Sequence, residues 1–159
     1  EWSKRGLRMP QLCKTKHAQP DLPSVTLSGE LNELWLWHGT SAATALTIAQ
    51  HGFDERVAKL SGLYGAGSYF SDSSCKAHQY AATHASAAGE HVMLLSRVLM
   101  GWPFTTTEQH RNARRPPNNP TTPNRPFDSI LAESGVGRGG QQVHNEFVVF
   151  DRTQAYPEY

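Results

Sequence analysis

The chain of 159 residues has little cysteine, almost no net charge and no long apolar run. Its two cysteines, Cys13 and Cys75, are too few for a disulfide-dense secreted domain or a four-cysteine zinc site. A net charge of +1 argues against a dedicated duplex-binding domain, which carries a clustered basic face. No apolar stretch approaches the roughly 18 residues of a membrane-spanning helix. Because the chain begins with Glu1, we expect a fragment whose targeting signals have been cut away.

Apolar runs and capping residues predict an α+β domain of short strands and two helices over residues 31–159. Four apolar segments are predicted to form strands: 34–37, 68–70, 91–100 and 146–151. Apolar spacing over 42–49 predicts a helix with Thr40 or Ser41 as its N-cap and Gly52 after its end. A second helix is predicted after residues 71–73 and runs to about His84. Residues 1–30 are predicted to be a mostly irregular N-terminal extension.

Residues 103–126 hold six of the ten prolines and are predicted to form a long polar loop. A loop of that length is usually functional or disordered. Its arginines could contact phosphates or an acidic partner, or could lie in solvent: Arg111, Arg114, Arg115 and Arg125.

Two further patterns do not predict sites. The G-x-G-x-x-G pattern at 135–140 lacks the preceding strand and following helix of a dinucleotide fingerprint, so we expect a flexible loop. His78 and His84 are six residues apart, without the spacing of a metal motif, and no metal site is predicted.

Three polar or aromatic side chains in or beside the apolar strands are candidates for chemistry. His38 follows the run Leu-Trp-Leu-Trp, Tyr69 lies in a strand after a glycine-rich loop, and Glu146 opens an apolar strand. A carboxylate buried there needs a partner or a cationic ligand. The alternatives stay open at this point: Glu146 as a solvated strand end, His38 as a structural histidine, and Tyr69 and Tyr80 as core aromatics.

Ordered blocks from about Leu34 to Tyr159 resemble the catalytic domain of poly(ADP-ribose) polymerases, the diphtheria-toxin-like ADP-ribosyltransferases. The resemblance rests on these segments: 37–40 (Trp-His-Gly-Thr), 52–56, 62–71, 76–80, 145–147 (Asn-Glu-Phe) and 154–159. Segments 52–56 and 154–159 look like tankyrases, whereas 116–129 looks like the mono-ADP-ribosylating branch. The resemblance implies two packed, mainly antiparallel sheets, flanked by short helices around an NAD cleft.

The resemblance also implies site residues. His38, Tyr69 and Glu146 match the catalytic His-Tyr-Glu triad. His38 would bond a ribose hydroxyl of NAD, Tyr69 would line the nicotinamide pocket, and Glu146 would bond the nicotinamide ribose and stabilise positive charge. The other implied NAD-contacting residues are Gly39, whose backbone would hold the carboxamide, Tyr80, which would stack on nicotinamide, and Thr40, Asp54 and Phe70. Nicotinamide leaves as a neutral base, so one carboxylate suffices where glycosidases use two carboxyl groups.

Three departures from the family pattern bear on function. Ala77 occupies the position of a serine that usually donates to the carboxamide. Residues 81–92 lack the cysteines of the tankyrase zinc site, and no regulatory helical domain fits before Leu34. The missing hydroxyl would weaken NAD binding, or a neighbour such as Ser74 would replace it.

The leading interpretation is an NAD-dependent ADP-ribosyltransferase with NAD+ as co-substrate and no metal. The alternatives are an NAD glycohydrolase and a catalytically silent domain that binds NAD or a partner. We expect a protein acceptor, which includes the chain itself, with the 103–128 loop on the acceptor side. A monomer without membrane or indicated nucleic-acid partner is expected. Two cysteines without evident pairing fit a reducing intracellular compartment, the cytoplasm or nucleus.

Overall fold

A computed structural model describes residues 25–85, 89–122, 124–134 and 144–159. The predictions for residues 1–24 and for the glycine pattern at 135–140 lie outside these ranges. The described strands are β1 (Glu33–Thr40), β2 (Ser68–Phe70), β3 (Val92–Leu99), β4 (Pro103–Thr106), β5 (Ser129–Ala132), β6 (Glu146–Val149) and β7 (Ala155–Pro157). The described α-helices are α1 (Ala42–His51) and α2 (Ser74–Ala82).

The strands form two sheets, which confirms the predicted α+β class. One sheet has the order β1-β3-β7 and is antiparallel throughout. The other has the order β2-β6-β5-β4, with one parallel pair, β4 and β5. Trp37 and Ser71 exchange backbone hydrogen bonds of 2.8 and 2.9 Å, so the end of β2 is attached to β1 and the sheets meet there.

The hydrophobic core lies between the two sheets. Leu36 and Val98 contribute from the first sheet, and Phe147 and Val149 from the second. All four residues of β6 are buried, because both faces of this strand are covered. This is why the segment is a continuous apolar run rather than an alternating one.

Both helices begin at the predicted capping residues. The Ser41 hydroxyl accepts a hydrogen bond from the Thr44 amide, so Ser41 is the N-cap of α1. Gly52 follows the helix with φ of +79°, a conformation that favours glycine. Helix α2 begins after Ser73 and ends at Ala82, two residues before the predicted end at His84.

The prediction of one polar loop over 103–126 is wrong at its start, where β4 pairs with β5. Strand β5 was not predicted, because it directly follows proline-rich sequence. Its Ser129 is fully buried, and its hydroxyl donates to the Met100 carbonyl at 2.6 Å. The rest of the loop folds back on itself, with Asn119 donating to the Arg125 carbonyl and Phe127 to that of Pro117.

Candidate active site

A cleft of about 370 Å³ lies between the end of β1, the loop before β2, the first turns of α2 and the start of β6. Six of the predicted site residues line it: His38, Gly39, Tyr69, Phe70, Tyr80 and Glu146. Thr40 and Asp54 do not line this cleft. The structure therefore brings together residues from four distant parts of the sequence.

Asp54 lies outside the cleft lining and pairs with Arg56. The guanidinium donates to both carboxylate oxygens, at 2.8 and 2.7 Å, and the Arg56 amide donates to Oδ1 at 3.0 Å. These side-chain hydrogen bonds from Arg56 lower the pKa of Asp54 to about 2. Asp54 thus caps the 3-10 turn Glu55–Val57. Contact of Thr40 and Asp54 with NAD stays a prediction.

His38 is partly buried and packs against the rings of Phe53 and Phe70, with ring centroids 5.2 and 5.5 Å from its own. Its Nδ1 lies 2.7 Å from the Tyr69 carbonyl oxygen, which can only accept, so Nδ1 carries the proton. Burial lowers the pKa of His38, and the hydrogen bond to Tyr69 offsets this only in part. The ring is therefore neutral at pH 7, and its Nε2 can accept a hydrogen bond from a ligand hydroxyl.

Tyr69 presents its ring to the cleft while its hydroxyl is used by the protein. The hydroxyl donates to the Gly65 carbonyl at 2.8 Å and accepts from the Tyr64 amide at 2.9 Å. Burial raises the pKa of Tyr69 to about 12, so the phenol stays protonated. A Cβ on Gly62 would overlap this hydroxyl, which explains the glycine there. Tyr69 is thus suited to shaping the cleft wall rather than to transferring protons.

Glu146 is paired with Lys76, a site residue that the sequence analysis did not assign. The Lys76 ammonium lies 3.2 Å from Oε1 of Glu146, and the two side chains are only 16% and 7% exposed. Burial alone would lower the pKa of Lys76, but Glu146 and Tyr80 outweigh it and raise that pKa. The ammonium also lies 5.2 Å from the centre of the Tyr80 ring. Lys76 could have been found from its spacing, since residues four apart share a helix face.

Gly39 allows α2 to approach β1 at the edge of the cleft. A Cβ on Gly39 would overlap the Ala77 carbonyl oxygen and lie 2.7 Å from its carbon. Ala77 is buried and lines the cleft. A serine at this position, as the family pattern has, would therefore place its hydroxyl at the cleft wall.

The proline-rich segment supports the loop wall of the cleft from outside. The His110 amide donates to the Leu63 carbonyl at 2.8 Å, and the Ala66 amide donates to the Ala113 carbonyl at 2.8 Å. The Arg111 guanidinium lies 3.4 Å from the Ser61 carbonyl oxygen. This part of the predicted acceptor loop therefore contacts the same loop that lines the cleft, and its acceptor role stays a prediction.

The arrangement suits a ligand with hydroxyls, a flat ring and a developing positive charge. Neutral His38 offers an acceptor, Tyr69 and Tyr80 offer aromatic surface, and Glu146 offers a carboxylate.

In the part of the chain that the structure describes, no three His, Cys, Asp or Glu side chains cluster as metal ligands. None of the helices in the described ranges is long and apolar enough to cross a membrane.

Comparison with known proteins agrees with these features. Residues 10–159 match the model of the poly(ADP-ribose) polymerase catalytic domain family. The chain is 36% identical over 131 residues to mouse protein mono-ADP-ribosyltransferase PARP12, covering 82% of the chain and 17% of that protein. It is 28% identical over 156 residues to human protein mono-ADP-ribosyltransferase PARP14, covering 96% and 8%.

A relative named poly [ADP-ribose] polymerase, from Sarcophaga peregrina, is 29% identical over 150 residues, covering 80% of the chain and 15% of that protein. The chain therefore spans less than a fifth of the length of these three relatives. The match to the family model begins at residue 10, inside the predicted N-terminal extension, and the domain boundary at residue 30 stays a prediction.

Proposed function

Because this chain belongs to the family of poly(ADP-ribose) polymerase catalytic domains, we propose that its chemistry is NAD-dependent ADP-ribosyl transfer and that His38, Tyr69 and Glu146 carry it out. The observation that carries the proposal is the buried carboxylate of Glu146, held beside the Lys76 ammonium in an aromatic-walled cleft. A buried ion pair costs desolvation energy, so its presence in a cleft indicates a functional role for the two side chains.

His38 and the aromatic rings bind and orient the NAD+ substrate. The Nε2 atom of His38 accepts a ribose hydroxyl, since Nδ1 is already bonded to Tyr69. Tyr80, about half exposed, is free to stack on the nicotinamide ring from the open side. The Gly39 backbone holds the carboxamide.

Glu146 supplies the transition-state contribution. Its carboxylate bonds the nicotinamide ribose hydroxyl and stabilises the positive charge that develops as the glycosidic bond breaks. Lys76 contacts Oε1, and Oε2 is the oxygen that bonds the substrate in this proposal. No side chain has to protonate the leaving group, because nicotinamide departs as a neutral base.

The acceptor in this proposal is a protein, which includes the chain itself. The mouse and human relatives are mono-ADP-ribosyltransferases by name, and the Sarcophaga relative is a poly polymerase by name. The number of ADP-ribose units attached to the acceptor therefore distinguishes mono transfer from poly transfer.

The test is incubation of the chain with labelled NAD+, alone and with added protein, followed by separation on a gel. Glu146→Gln removes the charge but keeps a hydrogen-bond acceptor for Lys76, and we expect transfer to fall on the order of 10²-fold or more. Glu108→Gln makes the same change at an exposed position and serves as the matched control. A single band reports mono transfer, and a ladder reports poly transfer.

Circular dichroism and thermal unfolding show whether Glu146→Gln keeps the fold. Equal labelling by Glu146→Gln and the parent chain contradicts the assigned mechanism. Release of free ADP-ribose without labelled protein shows an NAD glycohydrolase. Neither product from the folded parent chain shows a silent domain, the reading that Ala77 favours.

A further inference from the structure

Asn145 directly precedes Glu146 and makes hydrogen bonds to two other segments of the chain, residues 71–72 and Ser134. Its Nδ2 donates to Oδ2 of Asp72 at 2.8 Å, and its Oδ1 accepts from the Ser134 amide at 2.6 Å. Its backbone carbonyl accepts from the Ser71 hydroxyl at 2.9 Å. A primary amide is suited to this position, because it presents a donor and an acceptor on one planar group.

The hydrogen bond between Asn145 and Asp72 joins the two segments that carry the ion pair. Asp72 lies four residues before Lys76, in the approach to α2, and Asn145 lies one residue before Glu146 in the approach to β6. The 2.8 Å link and the 3.2 Å ion pair therefore span the same gap between α2 and β6. We expect a change in the first distance to shift the partners of the second, because each pair of residues lies on the same two segments.

Burial makes this link more than a surface contact. Asp72 is 8% exposed, and a carboxylate at that depth is costly without a hydrogen-bond donor. The Ser71 hydroxyl, which bonds Asn145, also accepts from the Ser73 amide at 3.2 Å at the start of α2. Asn145 is therefore bound to the approach of α2 through two independent contacts.

From this geometry we propose that Asn145 is a positioning residue, which acts through Asp72 to set Glu146 against Lys76. The inference rests on the proposed function, because it concerns how the Glu146 carboxylate is held for reaction. Asn145 touches no substrate in this proposal, and its effect passes through the placement of Glu146.

The test exchanges the two polar groups. Asn145→Asp places two carboxylates face to face, and we expect kcat for nicotinamide release to fall about 10-fold to 100-fold, with KM for NAD+ changed less than about twofold. Asp72→Asn keeps an acceptor for Asn145 and should change kcat only about twofold. The double variant Asn145→Asp/Asp72→Asn restores a donor opposite an acceptor with the polarity reversed, and kcat should return to within about threefold of the parent.

Thermal unfolding of every variant separates positioning from stability. If Asn145→Asp does not fold, Asp72→Ala replaces it, since it leaves the Asn145 amide unpaired without repulsion, and a several-fold loss of kcat is expected. A lower melting temperature with unchanged kcat overturns the proposal, as does a double variant whose melting temperature recovers while its kcat does not. A rise in KM alone also overturns it.

The parent chain and Glu146→Gln are measured in the same assay. An inactive parent chain refutes the proposed function itself. An active parent chain, an inactive Glu146→Gln and an unaffected Asn145→Asp refute only the positioning role.

Discussion

Gly39→Ala should push α2 away from β1 and disable the cleft. A Cβ at this position would overlap the Ala77 carbonyl oxygen, lie 2.7 Å from the Ala77 carbonyl carbon and lie 3.1 Å from the Ala81 amide nitrogen. These are backbone atoms of a helix, so no side-chain rotation relieves the overlap. Non-bonded carbon atoms normally lie about 3.5–4.0 Å apart. The helix must therefore move by about 1 Å.

This displacement sets the expected size of two effects, a loss of stability and a loss of catalytic rate. Overpacking of a close contact costs about 1–3 kcal/mol. For a domain of this length each kcal/mol lowers Tm by about 2–4 °C, so Tm should fall by about 2–12 °C. Lys76 moves with α2, and its 3.2 Å contact with Glu146 lengthens past the range of a good ion pair. A 1 Å misplacement of catalytic groups can cost about 10²-fold in rate.

Thermal unfolding and steady-state NAD+ turnover measure the two effects. Gly29→Ala is the matched control, because no atom lies within 4 Å of a Cβ added there. The control should keep its stability within about 0.5 kcal/mol and its kcat unchanged. A Gly39→Ala variant with the Tm and kcat/KM of the parent would refute the close packing of α2 on β1.

Two other substitutions test the cleft wall. Ala77→Ser should lower KM for NAD+ by up to about tenfold, the value of one neutral hydrogen bond, and an unchanged or higher KM would show that another group already holds the carboxamide. Burial raises the pKa of Tyr69 from 10.0 to about 12, so in that pH range the unfolded chain loses a proton that the folded chain keeps. The free energy of unfolding must therefore fall as pH rises from about 10 to 12. Tyr69→Phe should remove this contribution to the pH dependence, which urea unfolding at a series of pH values measures. Equal slopes for the two proteins would contradict the buried, protonated phenol.

Local patterns predicted the elements whose signals are local. Strand β1 and helix α1 follow from an apolar run, an N-cap at Ser41 and a glycine at 52. Strands β4 and β5 escaped prediction because they flank a proline-rich stretch, and their parallel pairing joins segments that lie far apart in the sequence. Such pairing depends on contacts that no window of sequence contains.

In the candidate site, too, the identity of residues could be predicted from the sequence, whereas their contacts with distant residues could not. His38, Tyr69 and Glu146 were assigned through the family resemblance, because their positions in or beside strands left a structural alternative open for each. Their chemical states could not, since these depend on partners elsewhere: the Tyr69 carbonyl fixes the His38 tautomer, and Gly65 and Tyr64 occupy the Tyr69 hydroxyl. Lys76 was overlooked because its ion pair with Glu146 forms only where α2 and β6 lie side by side.

Four of the six blocks that carried the family resemblance contact one another around the cleft. Trp37 exchanges backbone hydrogen bonds with Ser71, whose hydroxyl bonds Asn145. One residue further along, Glu146 pairs with Lys76 on the helix that packs against Gly39. Each of these four blocks therefore contacts at least one other, which is why a single block has little meaning in isolation. A substitution in one of the four should alter turnover where it shifts the position of Glu146, even if the substituted side chain touches no substrate.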